Sequence, residues 1–214
     1  MIIKVCGMRD MANIREVEAL GVDWVGFVFY ARSSRYVDGA KSCGEARRAK
    51  RVGVFVDETP RDVISRVADF SLDVVQLHGN ESVMMVNDLR RAIDADFGGR
   101  IRIMKAISVG DRADMSGYRD YEGSVDYFLF DTKTPLVGGS GRKFDWNILH
   151  DYDGDTPFLV SGGIGPDDVE RVRKFTHPMF AGVDLNSRFE VLPGVKDVEK
   201  LREFVKSLRR QSGV

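Results

Sequence analysis

Eight short runs of apolar, strand-favouring residues recur along the chain: Ile2–Cys6, Trp24–Phe29, Val52–Val56, Val74–Leu77, Ile101–Ile107, Tyr127–Phe130, Phe158–Val160 and Met179–Val183. Most are near-continuous in Val, Ile, Leu and Phe instead of alternating with polar residues. Strands covered on both faces by helices read this way. The stretches between them are longer and more polar, with apolar residues at helical spacing. Asp10–Leu20 carries Met11, Ile14, Val17, Ala19 and Leu20, and Gly21 follows as a stop. Pro60–Phe70 opens on Thr59-Pro60, a cap followed by a proline suited to the first turn. Ser82–Ile93, Pro166–Phe175 and Asp197–Leu208 complete the helices that the pattern predicts.

Alternation of strand and helix through eight units predicts a single (βα)8 barrel spanning residues 1–214, an α/β fold with eight parallel strands. Each unit then takes roughly 27 residues, which suits a compact barrel. An open doubly wound sheet is the competing architecture. It would normally carry a Gly-rich dinucleotide fingerprint after the first strand, and Cys6-Gly7-Met8-Arg9 stands there instead.

Composition narrows the class. The 32 Lys+Arg residues nearly balance 33 Asp+Glu, and the charges are spread along the chain. This gives no footprint for nucleic acid or a membrane surface. There is no apolar run of bilayer length and no basic-then-apolar leader at the N-terminus. Two cysteines, Cys6 and Cys43, do not make a disulfide framework, so a reducing cytoplasm is the expected setting. His78, His150 and His177 are scattered, and no metal site is expected.

Chemistry in such a barrel belongs to the C-terminal ends of the strands. Cys6 ends the first strand. A cysteine taken alone is more often a small buried hydrophobe. Its strand-end position, with Gly7 leaving room beside it, turns the reading toward a nucleophile or proton acceptor. Arg32 and Arg35 follow the second strand and suit a carboxylate or phosphate, or simply a solvated loop. His78 ends the fourth strand, as an acid or base or, more commonly, a hydrogen-bonded wall residue. Asp131 ends the sixth strand, as a proton donor or acceptor, a cap or an ion-pair partner. Gly138-Gly139-Ser140-Gly141 and Ser161-Gly162-Gly163 could cradle phosphate oxygens with free backbone amides, or could simply be turns needing positive φ. Asp184, Asn186 and Ser187 offer polar groups at the end of the eighth strand.

These segments, in order from first strand to last helix, closely resemble the phosphoribosylanthranilate isomerase family. The resemblance rests on Ile3-Lys4-Val5-Cys6-Gly7, Gly26-Phe27-Val28-Phe29, Ser34-Arg35-Tyr36-Val37, Val52-Gly53-Val54-Phe55-Val56, Val75-Gln76-Leu77-His78-Gly79, Asp131, Gly138-Gly139-Ser140-Gly141 with Phe144-Asp145-Trp146, Ser161-Gly162-Gly163, Gly182-Val183-Asp184 and Pro193-Gly194-Val195-Lys196-Asp197. It implies an Amadori rearrangement of an aminoaldose to an aminoketose in tryptophan biosynthesis, on a phosphorylated small-molecule substrate and without a cofactor. By the same resemblance Cys6 is the general base and Asp131 the general acid. Arg35 takes the anthranilate carboxylate, and Asp184 lies near the substrate amine, with His78 beside the substrate. Gly139, Ser140, Gly141, Gly162, Gly163, Asn186 and Ser187 hold the phosphate. Two departures from the family pattern fall on that phosphate site. Asn186-Ser187-Arg188 replaces a common Ser-Ser-Gly run, and Ser161 stands where alanine is frequent. Oligomeric state is left open.

Three alternatives remain at this stage. An indole-glycerol-phosphate synthase would need catalytic lysine and glutamate residues at strand ends. Of these only Lys105, near the end of the fifth strand, is in evidence. A histidine-pathway aminoaldose isomerase would favour aspartate where Cys6 stands. A phosphate-binding barrel without activity would have no need to keep both Cys6 and Asp131.

Overall fold

A computed structural model describes residues 1–39, 48–132 and 145–210. Eight strands close a parallel barrel in sequential order: β1 (Ile2–Val5), β2 (Trp24–Val28), β3 (Lys50–Phe55), β4 (Val74–Leu77), β5 (Arg102–Val109), β6 (Tyr127–Thr132), β7 (Phe158–Val160) and β8 (Phe180–Leu185). The ring closes where β1 pairs with β8, Lys4 opposite Asp184. The expected eight-stranded barrel is thus the observed fold, with strand ends within a few residues of those read from the apolar runs.

Trp24, Val52, Val74, Met104, Ala106, Leu129 and Leu159 form one buried cluster, with Ile2, Tyr127 and Ala181 packed against it. These are alternate positions on successive strands and fill the barrel interior. A second, larger cluster packs the opposite strand faces against the surrounding helices, with Val63, Val67, Val86, Leu89, Ile93, Leu201 and Phe204 among its helical members. Both faces of the sheet are therefore apolar, which is why the strands read as continuous hydrophobic runs.

The helices start where local chemistry caps them. Asp10 accepts from the Asn13 N–H at the head of α1 (Met11–Glu18), and Thr59 accepts from Asp62 at the head of α2 (Pro60–Phe70). Ser82 and Asp197 do the same for α3 (Val83–Phe97) and α5 (Val198–Arg209). Each such cap satisfies an N–H that the first helical turn leaves without a partner. The predicted Pro166–Phe175 helix divides into a 3₁₀ turn, Pro166–Asp168, and the short α4, Val169–Lys174. The units after β5 and β6 carry 3₁₀ runs, Ala113–Tyr121 and Trp146–Asp151, in place of regular α-helices. The first of these contains Gly117, and Asp114 and Ser116 whose side chains bond the local backbone, all poor helix formers. Past β8 the chain forms a small antiparallel ribbon, β9 (Glu190–Leu192) and β10 (Val195–Lys196), turning at Gly194 with φ +87°. The Pro193-Gly194 turn is visible in the sequence, but strands of two and three residues leave no periodic signal for the pairing around it. Among the described residues no helix is long and apolar enough to cross a membrane.

Candidate active site

Pleating of β1 sends Lys4 and Cys6 to the same side, toward the barrel interior. Lys4 is fully buried, and its Nζ donates to Asp184 Oδ2 at 2.6 Å. The same ammonium stands beside the Cys6 thiol, close enough to lower its titration. Cys6 is 5% exposed, and a Cβ on Gly26 would come within 2.9 Å of its Sγ, so glycine on the neighbouring strand makes room for the sulfur. Burial pushes the thiol up. Lys4 and Lys196 pull it back without cancelling that push, and Asp184 adds to it. Asp184 also titrates above the ordinary carboxylate range, because burial and the nearby Asp131 outweigh the pull of Lys4. Its other oxygen, Oδ1, is buried without a hydrogen-bond partner among the described residues.

Asp131 ends β6 and faces the same mouth, with 26% of its side chain exposed. His78 Nε2 lies 3.3 Å from its Oδ2, and the Thr132 N–H donates to Oδ1 at 2.9 Å. Burial raises this carboxyl. The contact with His78, the Ser161 hydroxyl and the Thr132 N–H together outweigh burial and hold it below its ordinary value. Gln76, two residues before His78 on β4, places its amide nitrogen 2.7 Å from His78 Nδ1. That donation leaves Nε2 as the protonated ring nitrogen pointing at Asp131. His78 is thus hydrogen-bonded by Gln76 on one side and faces the expected acid on the other.

Arg35 arrives from the loop after β2. Its backbone N–H donates to Ser33 Oγ at 3.1 Å, and Arg9 Nη1 holds the Ser34 carbonyl at 2.8 Å. The arginine stem crosses Gly7, where a Cβ would meet Arg35 Cδ at 2.5 Å. The guanidinium pairs with Glu190 through Nε at 2.8 Å and Nη2 at 2.5 Å. Glu190 also accepts from Lys196 Nζ at 2.7 Å, and Lys196 donates to Asn186 Oδ1 at 2.8 Å. The oxygen of Asn186, expected at the phosphate, is thus engaged with a lysine.

Gly162 and Gly163 follow β7 with φ of +91° and +70°. A Cβ on Gly162 would lie 1.9 Å from Thr132 Oγ1, so close approach and positive φ both require glycine there. Two consecutive residues in this conformation suit a backbone nest for an anion. Ser187 is exposed at the adjacent end of β8. Gly139, Ser140 and Gly141, with Cys43, lie outside the described residues.

The structure therefore brings Cys6, Asp131, His78, Asp184 and Arg35 to one mouth. Lys4, Gln76, Glu190 and Lys196, which are not among the candidates at the strand ends, hold these side chains in place. For the first two a signal existed: a polar residue inside an apolar strand, two positions before a candidate side chain, shares its face. Glu190 and Lys196 meet only through the β9–β10 ribbon.

Comparison with known proteins bears on the whole of this architecture. Residues 3–207 match the family described as N-(5'-phosphoribosyl)anthranilate (PRA) isomerase. The N-(5'-phosphoribosyl)anthranilate isomerase of Parabacteroides distasonis is 46% identical over 213 residues, covering 97% of this chain and 93% of that protein. That of Phocaeicola vulgatus is 40% identical, covering 99% of each. The crystal structure of phosphoribosyl anthranilate isomerase from Thermotoga maritima superposes with a TM-score of 0.80 at 33% identity, covering 98% of this chain and 99% of that one. A phosphoribosyl anthranilate isomerase solved in complex with reduced 1-(o-carboxyphenylamino)-1-deoxyribulose 5-phosphate gives 0.79 at 30% identity, with the same coverage. A match running from the first strand into the last helix, at such identity to named relatives, is decisive: the chain belongs to the N-(5'-phosphoribosyl)anthranilate isomerase family.

Proposed function

We propose that this barrel converts N-(5'-phosphoribosyl)anthranilate to 1-(2-carboxyphenylamino)-1-deoxyribulose 5-phosphate, with Cys6 as base and the Asp131–His78 pair as acid. The observation that carries these roles is the placement of Cys6 and Asp131 at the C-terminal ends of β1 and β6, facing one mouth, with Asp184 buried between their fields. Proton donation to the furanose ring oxygen opens the ring and leaves the anthranilate nitrogen double-bonded to C1. The Cys6 thiolate then removes the proton from C2, and the electrons move toward nitrogen to give an enolamine. Ketonisation returns a proton to C1 and completes the aminoketose.

Free Asp131 is ionised at neutral pH, as its lowered titration requires. Its acid role therefore requires the Asp131–His78 pair to carry one further proton when substrate is bound, an uptake that the anionic groups of the substrate favour. Asp184 Oδ1 lacks a partner among the described residues and suits the N–H of the substrate amine. Arg35 suits the aryl carboxylate. Gly162, Gly163 and Ser187 suit the phosphate, and by the family resemblance so do Gly139, Ser140 and Gly141. Asn186 keeps only its amide N–H groups for that anion, since its oxygen serves Lys196. The small cysteine count fits a cytoplasmic setting.

Conversion of the fluorescent substrate by wild type, Cys6→Ser and Asp131→Asn tests the assignment. Each substitution is expected to cost roughly 100-fold or more in kcat, the usual range for a lost acid or base. Full activity in both would refute the roles.

A further inference from the structure

Glu190 takes no part in the chemistry above, yet it is buried beside it and fully engaged. Its Oε1 accepts from Arg35 Nε at 2.8 Å, Lys196 Nζ at 2.7 Å and the Gly194 N–H at 3.0 Å. Its Oε2 accepts from Arg35 Nη2 at 2.5 Å. The ribbon fixes this arrangement, since Glu190 and Lys196 are cross-strand partners and the positive φ of Gly194 returns the chain between them. The Glu190 side chain is 6% exposed.

A guanidinium has two edges that can bind a carboxylate bidentately, the side edge of Nε with one terminal nitrogen and the end edge of the two terminal nitrogens. Glu190 occupies the side edge of Arg35. Nη1, on the end edge, makes no hydrogen bond among the described residues, and the Arg35 side chain is 18% exposed. Gly7 pins the stem from below. The fork is thus held at its stem and along one edge, and open along the other.

We propose that Glu190 is a positioning residue for substrate selection: it locks Arg35 side-on, so that the end edge of the fork is presented to the aryl carboxylate of the substrate. This rests on the carboxylate role given to Arg35 above. Arginine carries large rotamer freedom, and a fork braced in advance loses less of it on binding. A competing electrostatic effect has the opposite sign. Glu190 offsets part of the positive charge of Arg35 and Lys196, so neutralising it would strengthen attraction for an anionic substrate. The direction of the KM change therefore separates bracing from simple charge balance.

The test compares Glu190→Gln and Arg35→Ala with wild type on two substrates, N-(5'-phosphoribosyl)anthranilate and the carboxylate-free N-(5'-phosphoribosyl)aniline. Bracing predicts that Glu190→Gln raises KM for the carboxylated substrate about tenfold or more, with kcat held within about threefold. On the aniline compound kcat/KM stays within about threefold of wild type. A KM that falls or stays constant for the carboxylated substrate overturns the proposal, as does an equal loss on both substrates, which would mark a scaffold role. Arg35→Ala is expected to abolish the preference for the carboxylated substrate. If it impairs both substrates alike, the carboxylate role of Arg35 fails and this inference falls with it. If Arg35→Ala discriminates and Glu190→Gln does not, only the role of Glu190 falls. Glu190→Asp keeps the charge for Lys196 while shortening the reach to Arg35. It must show the same selective KM rise, which keeps the question decidable if the glutamine variant does not fold.

Discussion

The Lys4 ammonium donates to Asp184 Oδ2 at 2.6 Å and stands beside the Cys6 thiol on the same face of the same strand. One buried cation thus serves a carboxylate and the expected base together. Burial raises the thiol, and Lys4 is the largest influence in the other direction. The other charges that face Cys6 are Asp184 from β8, Lys196 from β10 and Arg35 from the loop after β2. Replacing Lys4 by Gln removes the main thiolate-stabilising charge. The thiol must then titrate higher, and the acidic limb of the kcat/KM profile must move to higher pH. The pH dependence of iodoacetamide alkylation, in a Cys43→Ser background, reads the thiol directly. An alkylation profile that does not move would remove Lys4 from the chemistry. Breaking the buried pair should also cost about 3–5 kcal/mol of stability, so the comparison belongs well below the melting temperature.

His78 and Asp131 offer a second handle. The carboxyl is pushed up by burial and pulled below its ordinary value chiefly by the imidazole. In His78→Asn that pull weakens, so Asp131 must titrate at higher pH than in wild type. Carbon-13 NMR of labelled aspartate carboxyls would follow it. If the imidazole sets the proton affinity of the acid, kcat should also fall by roughly 100-fold. An unchanged carboxyl titration together with unchanged kcat would dissolve the proposed pair.

The barrel was legible because its determinants are local and repeated. Strands buried on both faces must be apolar throughout, and eight such runs between capped helices leave few topologies open. Cys6 and Asp131 were legible for a related reason: a polar residue ending an apolar strand stands at the functional end of a barrel. The Arg35–Glu190–Lys196–Asn186 network was not. It joins residues 155 positions apart in the chain through side-chain geometry, and it depends on a ribbon of two short strands with no apolar periodicity. The 3₁₀ connections after β5 and β6 escaped as well, the first because it mixes Gly, Ser and Asp, the second because six residues carry too weak a pattern to fix their type.

Gly162 allows a sharp stability test. Alanine there would need a left-handed backbone, φ +91°, and would place its methyl 1.9 Å from Thr132 Oγ1. The second problem is the more severe, because β6 and β7 are hydrogen-bonded neighbours and cannot separate freely. Gly162→Ala should therefore destabilise by about 2–4 kcal/mol, adding backbone strain to overpacking. Urea unfolding measures this. Loss below about 1 kcal/mol would mean that the loop after β7 relaxes easily and does not hold a preformed nest.

Glu190 also predicts how stability depends on acid. Burial alone would raise its carboxyl, but the two Arg35 hydrogen bonds, the Lys196 ammonium and the Gly194 N–H bring it down to about 2. In the unfolded chain a glutamate titrates near ~4.3. A carboxyl whose folded value is depressed stabilises the native state above its unfolded value, and the contribution disappears as pH falls through its folded value. The window is therefore about pH 5 down to about 2, and the contribution at neutral pH is on the order of 3 kcal/mol. Glu190→Gln cannot ionise, so its unfolding free energy lacks this component of the acid slope. The difference between wild type and Glu190→Gln, followed by urea unfolding from pH 7 downward, should be largest at neutral pH and should shrink across that window. A difference that stays constant from neutral pH to about 2 would mean that the folded and unfolded carboxyls titrate alike, and that Arg35 and Lys196 do not hold Glu190 as a charge.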